Sequence, residues 1–260
     1  MKSKSKAEIA NTLIKMVSCI WLVVLMGGLV YFLYRYFDLE IDDDSGAEMV
    51  LSHLISKGGP FIRHDWYYSS EIRIINTQLV YSTVFRFLQN WHVVRIVGNV
   101  IMYAILLVVM WYLSKQLHIK YSFPLFAAVL ILPISHDYYL NALHSAYLLP
   151  HITLSGLMLA MFLHYSQADK KKMQYFLIAG LNVISFFVGL GGIRHLIVFF
   201  MPLLLSCVFI VYQARHELLQ KKAIRDIRVV RTAVALELSM AAFLGFVVNR
   251  LYLKKSISGR

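Results

Sequence analysis

The sequence predicts an all-α protein, a multi-pass transmembrane helical bundle of about seven spans with a large external first loop. Three observations support this fold class. The 260 residues are 59% apolar and only 15% charged, whereas soluble domains are closer to half apolar and a quarter charged. Several stretches hold the roughly 20 mostly apolar residues that a spanning helix needs. The formal charge of +12 is concentrated in short loops, a positive-inside pattern that argues against nucleic acid as a partner.

The first span is predicted over residues 13–34, after a cytosolic tail at residues 1–12. This run is longer than a signal-peptide core and no cleavage pattern follows it, so we expect an uncleaved anchor. We expect residues 1–260 to form a single membrane domain, with a final tail at 250–260. The remaining spans fall within 96–249, at 96–114, 146–165, 175–191, 196–213 and 233–249, with 121–135 as a tilted span or a re-entrant piece.

The loop charges set the predicted orientation. With the amino terminus in the cytosol, Lys115, Lys120 and the run Lys170–Lys172 all fall inside, as the positive-inside rule requires. We therefore expect a plasma (inner) membrane protein of bacterial type with membrane lipid around it. The basic tail after the last span opposes the rule. Either the chain is the front part of a longer protein, or its final segment does not cross.

The external loop, residues 35–95, is predicted to hold two juxtamembrane helices, at 45–57 and 70–90. Ser45 and Glu48 have the spacing of a capping box, and Gly58 begins the stop signal of the first helix. The second helix carries two arginines on a polar stripe and Leu79 and Phe87 on the opposite face. That pattern favours a helix lying in the membrane interface over one that crosses the hydrocarbon.

Six carboxylates lie in the stretch "DLEIDDDSGAE" at residues 38–48. Helix capping explains Glu48 but does not require three consecutive aspartates. Such a cluster is suited to general-base chemistry or to binding a divalent cation; the alternative is a solvated acidic turn. We place the candidate base within Asp42, Asp43 and Asp44, with Asp44 preferred because it adjoins an ordered helix. Asp42, Asp44 and Glu48 could together hold a divalent metal ion.

The order of elements over residues 10–120 resembles the GT-C superfamily of integral membrane glycosyltransferases. A first span leads into a long external loop with an early acidic motif, then two juxtamembrane helices, then a span that opens "WHVVRIVGNVIMY". The resemblance implies a polyprenyl-phosphate-linked sugar donor and an acceptor that enters from the external side. It places the catalytic carboxylate within Asp42–Asp44, with a metal ion in some members and none in others.

A lipid-phosphate donor would need a cation near the outer leaflet. Arg194, in the stretch "GLGGIRHL", is the first candidate, with His195 beside it and Arg95 as a second; the alternative is a boundary arginine that snorkels. Trp66 and Tyr67 could stack on a sugar ring, although aromatic residues are also typical of membrane interfaces.

The rival hypothesis is a transporter or channel-like subunit, or a non-catalytic assembly partner. In that case Glu237, the one acid deep in a predicted span, would line a pathway together with Arg194. His136, Asp137 and His144 could contribute to a metal site, but their spacing matches no established ligand motif.

Overall fold

A computed structural model describes residues 6–35, 43–63, 65–66, 68, 74–118, 122–215, 217 and 226–253. Asp42 and Tyr67, both singled out above, lie outside these residues. Every regular element within them is helical, which confirms the all-α prediction. The chain divides into two compact units, the first formed by residues 1–59 and 77–153 and the second by residues 60–76 and 154–260.

Among the described residues, five helices are long and apolar enough to cross a membrane: Thr12–Arg35, Trp91–Leu117, Lys171–Leu190, Leu196–Gln213 and Ile227–Leu251. A sixth candidate is the bent pair His136–His144 and Leu149–Gln167, taken together as one broken span. The protein is therefore a multi-pass membrane protein with five or six candidate spans. The predicted count of seven is not confirmed, because the stretch 121–135 forms a helix of only 10 residues, about 15 Å long against a hydrocarbon core of about 30 Å.

Within the described residues, the first unit contains six complete helices and one π-helical turn, and a seventh helix begins in it. They are α1 (Lys6–Arg35), α2 (Asp43–Ser56), α3 (Thr77–Phe85), α4 (Trp91–Leu117), α5 (Ser122–Ile131), α6 (His136–Tyr138) and π1 (Tyr139–His144). Helix α4 packs against α1, α3 and α5, and α2 packs against α3. Asn90 caps α4 by accepting a hydrogen bond from the backbone N–H of Val93 at 3.2 Å, as expected of an N-cap asparagine.

The two predicted loop helices are present with different bounds. Helix α2 begins at Asp43, two residues before the predicted start, so Ser45 is buried in its first turn and is not the N-cap. Helix α3 covers Thr77–Phe85 rather than 70–90. Thr77 is fully buried and Leu79 is 42% exposed, opposite to the predicted faces, whereas Thr83 is exposed as expected of a polar stripe. The Thr77 hydroxyl is bonded to Glu48 of α2, which accounts for its burial.

In the second unit, the part of the chain that the structure describes contains the rest of α7 (Leu149–Gln167), which begins in the first unit, and five later elements. They are α8 (Lys171–Leu190), π2 (Leu196–Phe200), α9 (Met201–Gln213), α10 (Ile227–Val248) and π3 (Asn249–Leu253). Its buried core is apolar and includes Met158, Phe162, Leu181, Phe200 and Leu238.

Helices α8 and α10 approach each other at the level of their backbones. A Cβ added to Gly189 would overlap the carbonyl oxygen of Ala242, and one added to Gly245 would overlap the carbonyl oxygen of Phe186. Small residues at such positions are what allow close packing between helices in lipid, where contact area and not the exclusion of water favours association. The amide of Asn249 also donates to the carbonyl of Leu190. Glycine at 189 and 245 is therefore a packing requirement.

Candidate functional site

A stripe of polar side chains lies on one face of α4. Arg95, Asn99 and Tyr103 are spaced four residues apart, so their side chains project from the same side of the helix. Each is at most 1% exposed. Polar groups buried in an otherwise apolar helix must be hydrogen-bonded, because a polar group without a hydrogen bond in a membrane costs on the order of several kcal/mol of free energy. The partners of this stripe therefore determine what lies next to α4.

The partners are the last carbonyl groups of π1. Asn99 Nδ2 donates to the carbonyl of His144 at 2.9 Å, and Arg95 Nη2 donates to the same carbonyl at 3.3 Å. The Tyr103 hydroxyl donates to the carbonyl of Leu143. The last carbonyl groups of any helix lack partners within the helix, and a cation near that end is favourable. The stripe on α4 thus caps π1 and fixes its position.

The side chain of His144 joins the same network. Arg95 Nη2 lies 3.2 Å from His144 Nδ1. Because a guanidinium group can only donate hydrogen bonds, Nδ1 is the acceptor, and a neutral ring then carries its proton on Nε2. Both side chains are buried, at 1% and 0% exposure. Arg95, predicted as a phosphate ligand or a boundary anchor, is enclosed in the protein and positions π1.

Tyr81 of α3 extends the network towards the acidic loop. Its hydroxyl donates to Asn99 Oδ1 at 2.5 Å, and its ring lies against Gly98, where an added Cβ would be 2.5 Å from the ring. Burial raises the pKa of the Tyr81 phenol well above its ordinary value, the nearby charge of Arg95 lowers it, and the charge of Glu48 raises it. Tyr81 therefore stays neutral and acts as a hydrogen-bond donor.

Glu48 connects α2 to this region. Its carboxylate accepts a hydrogen bond from the Thr77 hydroxyl, and Ser52 donates to its backbone carbonyl at 2.6 Å. Glu48 was explained above as the second half of a capping box on Ser45, but α2 starts at Asp43 and the carboxylate reaches α3 instead. This contact holds α2 against α3.

Asp43 and Asp44, the predicted catalytic residues, are exposed in the first turn of α2. Acidic residues there complement the helix dipole, which is a structural reason for their presence. Within the described residues, no three His, Cys, Asp or Glu side chains lie close enough together to hold a metal ion. This includes Asp44 with Glu48, and His136 and Asp137 with His144. Asp42, the third predicted metal ligand, lies outside the described residues.

A cleft of about 500 Å³ lies between α1 and the segment from Ile131 to Leu143. Apolar side chains line most of it: Val24, Leu25, Leu29 and Phe32 of α1, opposite Ile131, Pro133 and Leu143. Ser135, His136 and Tyr139 give it a polar side. Phe32 and Val24 are each about half exposed, so the cleft opens at the surface of α1, which is itself a candidate span.

The cleft wall is held by the buried network. Leu143 lines the cleft, and its carbonyl accepts the hydrogen bond from Tyr103. The ring of Tyr139 lies 5.8 Å from the ring of His144 and 6.3 Å from the ring of Phe32. The polar stripe on α4 therefore fixes π1, and π1 forms one side of the cleft.

The other predicted ligands belong to the second unit. Arg194 is half-buried and His195 is 4% exposed, in the turn before π2, where Gly192 has a positive φ of 106° that favours glycine. Trp66 is half-buried, close in sequence to an exposed ion pair in which Arg63 Nη2 lies 2.6 Å from Asp65. Asp43, Asp44, Glu48 and Arg95 belong to the first unit.

Sequence reasoning missed Asn99, Tyr103 and Tyr81. A signal was present, since Arg95, Asn99 and Tyr103 repeat every four residues within an apolar span. The groups of π1 to which these three side chains are hydrogen-bonded lie 39 to 49 residues further along the chain. No local sequence pattern indicates this contact.

Comparison of the chain with protein-family models, with curated proteins and with solved structures finds no match. The function is therefore argued from the residues and their geometry.

Proposed function

We propose that the protein is a membrane glycosyltransferase that takes its sugar from a polyprenyl-phosphate-linked donor, and that the cleft beside α1 binds the donor lipid. The observation that carries the proposal is the cleft itself. It is apolar, it opens on a candidate span, and it has a polar side next to a rigid hydrogen-bonded network. A hydrocarbon chain would fill its apolar length, and His136 and Ser135 would face the phosphate.

The carboxylates of α2 are the proposed reactive groups. The cleft is lined by the C-terminal half of α1, and α2 is the next helix along the chain. Asp44, or its neighbours Asp43 and Asp42, would take the proton of the acceptor hydroxyl. The acceptor oxygen would then form a bond to the anomeric carbon, and the bond to the lipid phosphate would break, so that the phosphate leaves with the electron pair.

The proposal does not depend on the remaining predicted ligands. Arg194 and His195 stay candidates for phosphate binding, and Trp66 and Tyr67 stay candidates for stacking on a sugar, on the sequence alone. A divalent metal ion at Asp42, Asp44 and Glu48 would be an additional requirement of some mechanisms. The Thr77–Glu48 hydrogen bond would steady the acidic turn. The orientation proposed here keeps the amino terminus in the cytosol and puts α2 at the external face of a plasma membrane.

The test uses two adjacent glycines of α1. An added Cβ meets nothing within 4 Å at either Gly27 or Gly28, but only Gly28 lines the cleft. Gly28→Leu would place a side chain in the cleft, and Gly27→Leu, at a position that does not line this cleft, is its matched control. Lipids that copurify with the detergent-extracted protein would be identified by mass spectrometry, and sugar transfer from a synthetic polyprenyl-phosphate sugar would be measured.

We expect the wild type and Gly27→Leu to retain a polyprenyl-phosphate lipid and Gly28→Leu to lose it together with transfer. Replacing Asp42, Asp43 and Asp44 together by asparagine should keep the lipid and lose transfer, because a base acts after binding. If wild type, Gly27→Leu and Gly28→Leu retain the same bulk phospholipids and none of them transfers sugar, the proposal is wrong, and the transporter or assembly alternative replaces it.

A further inference from the structure

Glu237 is an exposed carboxylate near the middle of a candidate span. It is the eleventh residue of Ile227–Leu251, about 15 Å from the start of a 25-residue helix. Met240 and Leu244 follow at the spacing of one helix face and are 59% and 58% exposed. A carboxylate at this depth, surrounded by apolar side chains, is costly in lipid and normally faces a cavity or a partner.

The structure gives Glu237 one hydrogen-bond partner among the described residues, the amide of Asn182. Asn182 Nδ2 donates to Glu237 Oε1 at 2.7 Å and to the backbone carbonyl of Ile178 at 3.1 Å. This amide is neutral, so it orients the carboxylate without compensating its charge. The bond therefore holds a negative group in a defined position on an apolar surface.

A second copy of this chain would not supply the missing positive charge. In the described spans, the Lys and Arg residues that are accessible lie near helix ends: Lys15, Arg35, Lys115, Lys171, Lys172, Arg228, Arg231 and Arg250. The remaining one, Arg95, is 1% exposed. Two copies that met at this face would bring two carboxylates together, which is unfavourable.

We propose that the face of α10 formed by Glu237, Met240 and Leu244 binds a membrane-spanning helix of a different protein, one that carries a lysine or arginine at mid-depth. Charge complementarity identifies the occupant, because an ion pair in lipid satisfies both groups at once. Met240 and Leu244 provide the apolar contact on either side of it. This inference is independent of the sugar-transfer activity proposed above.

The test measures binding of synthetic helices by fluorescence energy transfer. The full-length protein would be placed in vesicles of dioleoylphosphatidylcholine, a lipid without net charge. The probe is a polyleucine peptide of about 20 residues with a central lysine, and its control has leucine at that position. Glu237→Gln is the variant of choice, because a glutamine has the same shape and its carbonyl oxygen can still accept from Asn182.

We expect the lysine peptide to bind wild-type protein about tenfold more tightly than the leucine peptide, and we expect this preference to fall to about onefold with Glu237→Gln. Thermal stability of Glu237→Gln in the same vesicles checks that it is folded. Equal binding of the two peptides by wild type, or a preference that survives in Glu237→Gln, would overturn the proposal. So would self-association of the wild type that Glu237→Gln abolishes, since that would assign the face to a second copy.

Discussion

The two units of this protein differ in the contacts that hold their helices together. In the first unit, Arg95, Asn99 and Tyr103 are buried and are bonded to the end of π1. In the second unit the tight helix pair meets through small residues, with Gly189 against Ala242, and the notable polar pair, Asn182 with Glu237, lies on an exposed side.

This difference shows two ways of holding helices together in lipid, where the surroundings are as apolar as the side chains themselves. Close packing of backbones gains contact energy at every level of the helix pair but leaves no space. A buried hydrogen-bond network fixes the positions of the few residues that it joins, and clefts can remain between the helices elsewhere. The cleft lies in the unit that contains the network, where α1 packs against α4 and α5 and the cleft separates it from part of the segment 131–143.

The largest expected effect tests the close packing in the second unit. Gly189→Ala would place a methyl group on the Ala242 carbonyl, and backbone can move only if the two helices separate. We expect a loss on the order of 4 kcal/mol in the free energy of unfolding, or no folded protein. Gly28→Ala, which meets open space, is the control. Unfolding in mixed detergent with increasing denaturant measures both, and equal stabilities would contradict the packing account.

The same substitution in each unit compares the two polar arrangements directly. Asn99→Leu would leave the Tyr81 hydroxyl without its buried acceptor and would remove one of the two donors to the His144 carbonyl, so we expect a loss of about 3 kcal/mol. Asn182→Leu removes a hydrogen bond on an exposed side and should cost less than about 1 kcal/mol. The two variants would be unfolded side by side. If Asn182→Leu lost more unfolding free energy than Asn99→Leu, the conclusion that the stabilising buried network lies in the first unit would be wrong.

A smaller effect is expected at the contact between α2 and α3. Thr77→Val keeps the shape of the side chain but removes the donor to Glu48, which should cost about 1.5 kcal/mol. Thr83→Val, an exposed change in the same helix whose hydroxyl donates only to the backbone of Leu79 at 2.7 Å, is the control. If α2 is held by this bond, hydrogen exchange at residues 43–56 should quicken in Thr77→Val alone.

The smallest effect is a loss of stability through ionisation of Tyr81, which is absent at neutral pH and grows in alkali. Burial raises the pKa of Tyr81 above its ordinary value of 10, so the folded state binds this proton more tightly than the unfolded chain does. The resulting stabilisation is complete below pH 10 and is lost as the pH rises towards the folded-state pKa. The difference in unfolding free energy between wild type and Tyr81→Phe should therefore be constant from about pH 7 to 9 and shrink above about pH 10. A difference that stays constant into alkali would mean that Tyr81 is not buried.

The apolar runs were sufficient to predict a multi-pass helical protein, and the Gly58 stop was sufficient to predict the end of α2 at Ser56, because both are local signals. The number of spans and the contacts between distant residues have no such local signal. Nothing in the stretch 70–90 shows that Glu48 will bind Thr77, so the burial of Thr77 could not be predicted. The partner of Arg95 could not be predicted for the same reason, since His144 is 49 residues away.

The candidate site was predictable in part. Apolar runs predicted a multi-pass membrane protein, and the three aspartates marked α2 as unusual. The cleft could not be foreseen, because its two sides come from α1 and from residues 131–143, which are far apart in the sequence.

The opening of the cleft on α1 has a consequence for how any ligand would reach it. A molecule that enters from the side of a spanning helix arrives by diffusing within the bilayer, so water is not its solvent. Its occupancy would then follow its mole fraction among the surrounding lipids. Diluting the vesicles would leave the site as full as before, whereas adding ordinary phospholipid would empty it.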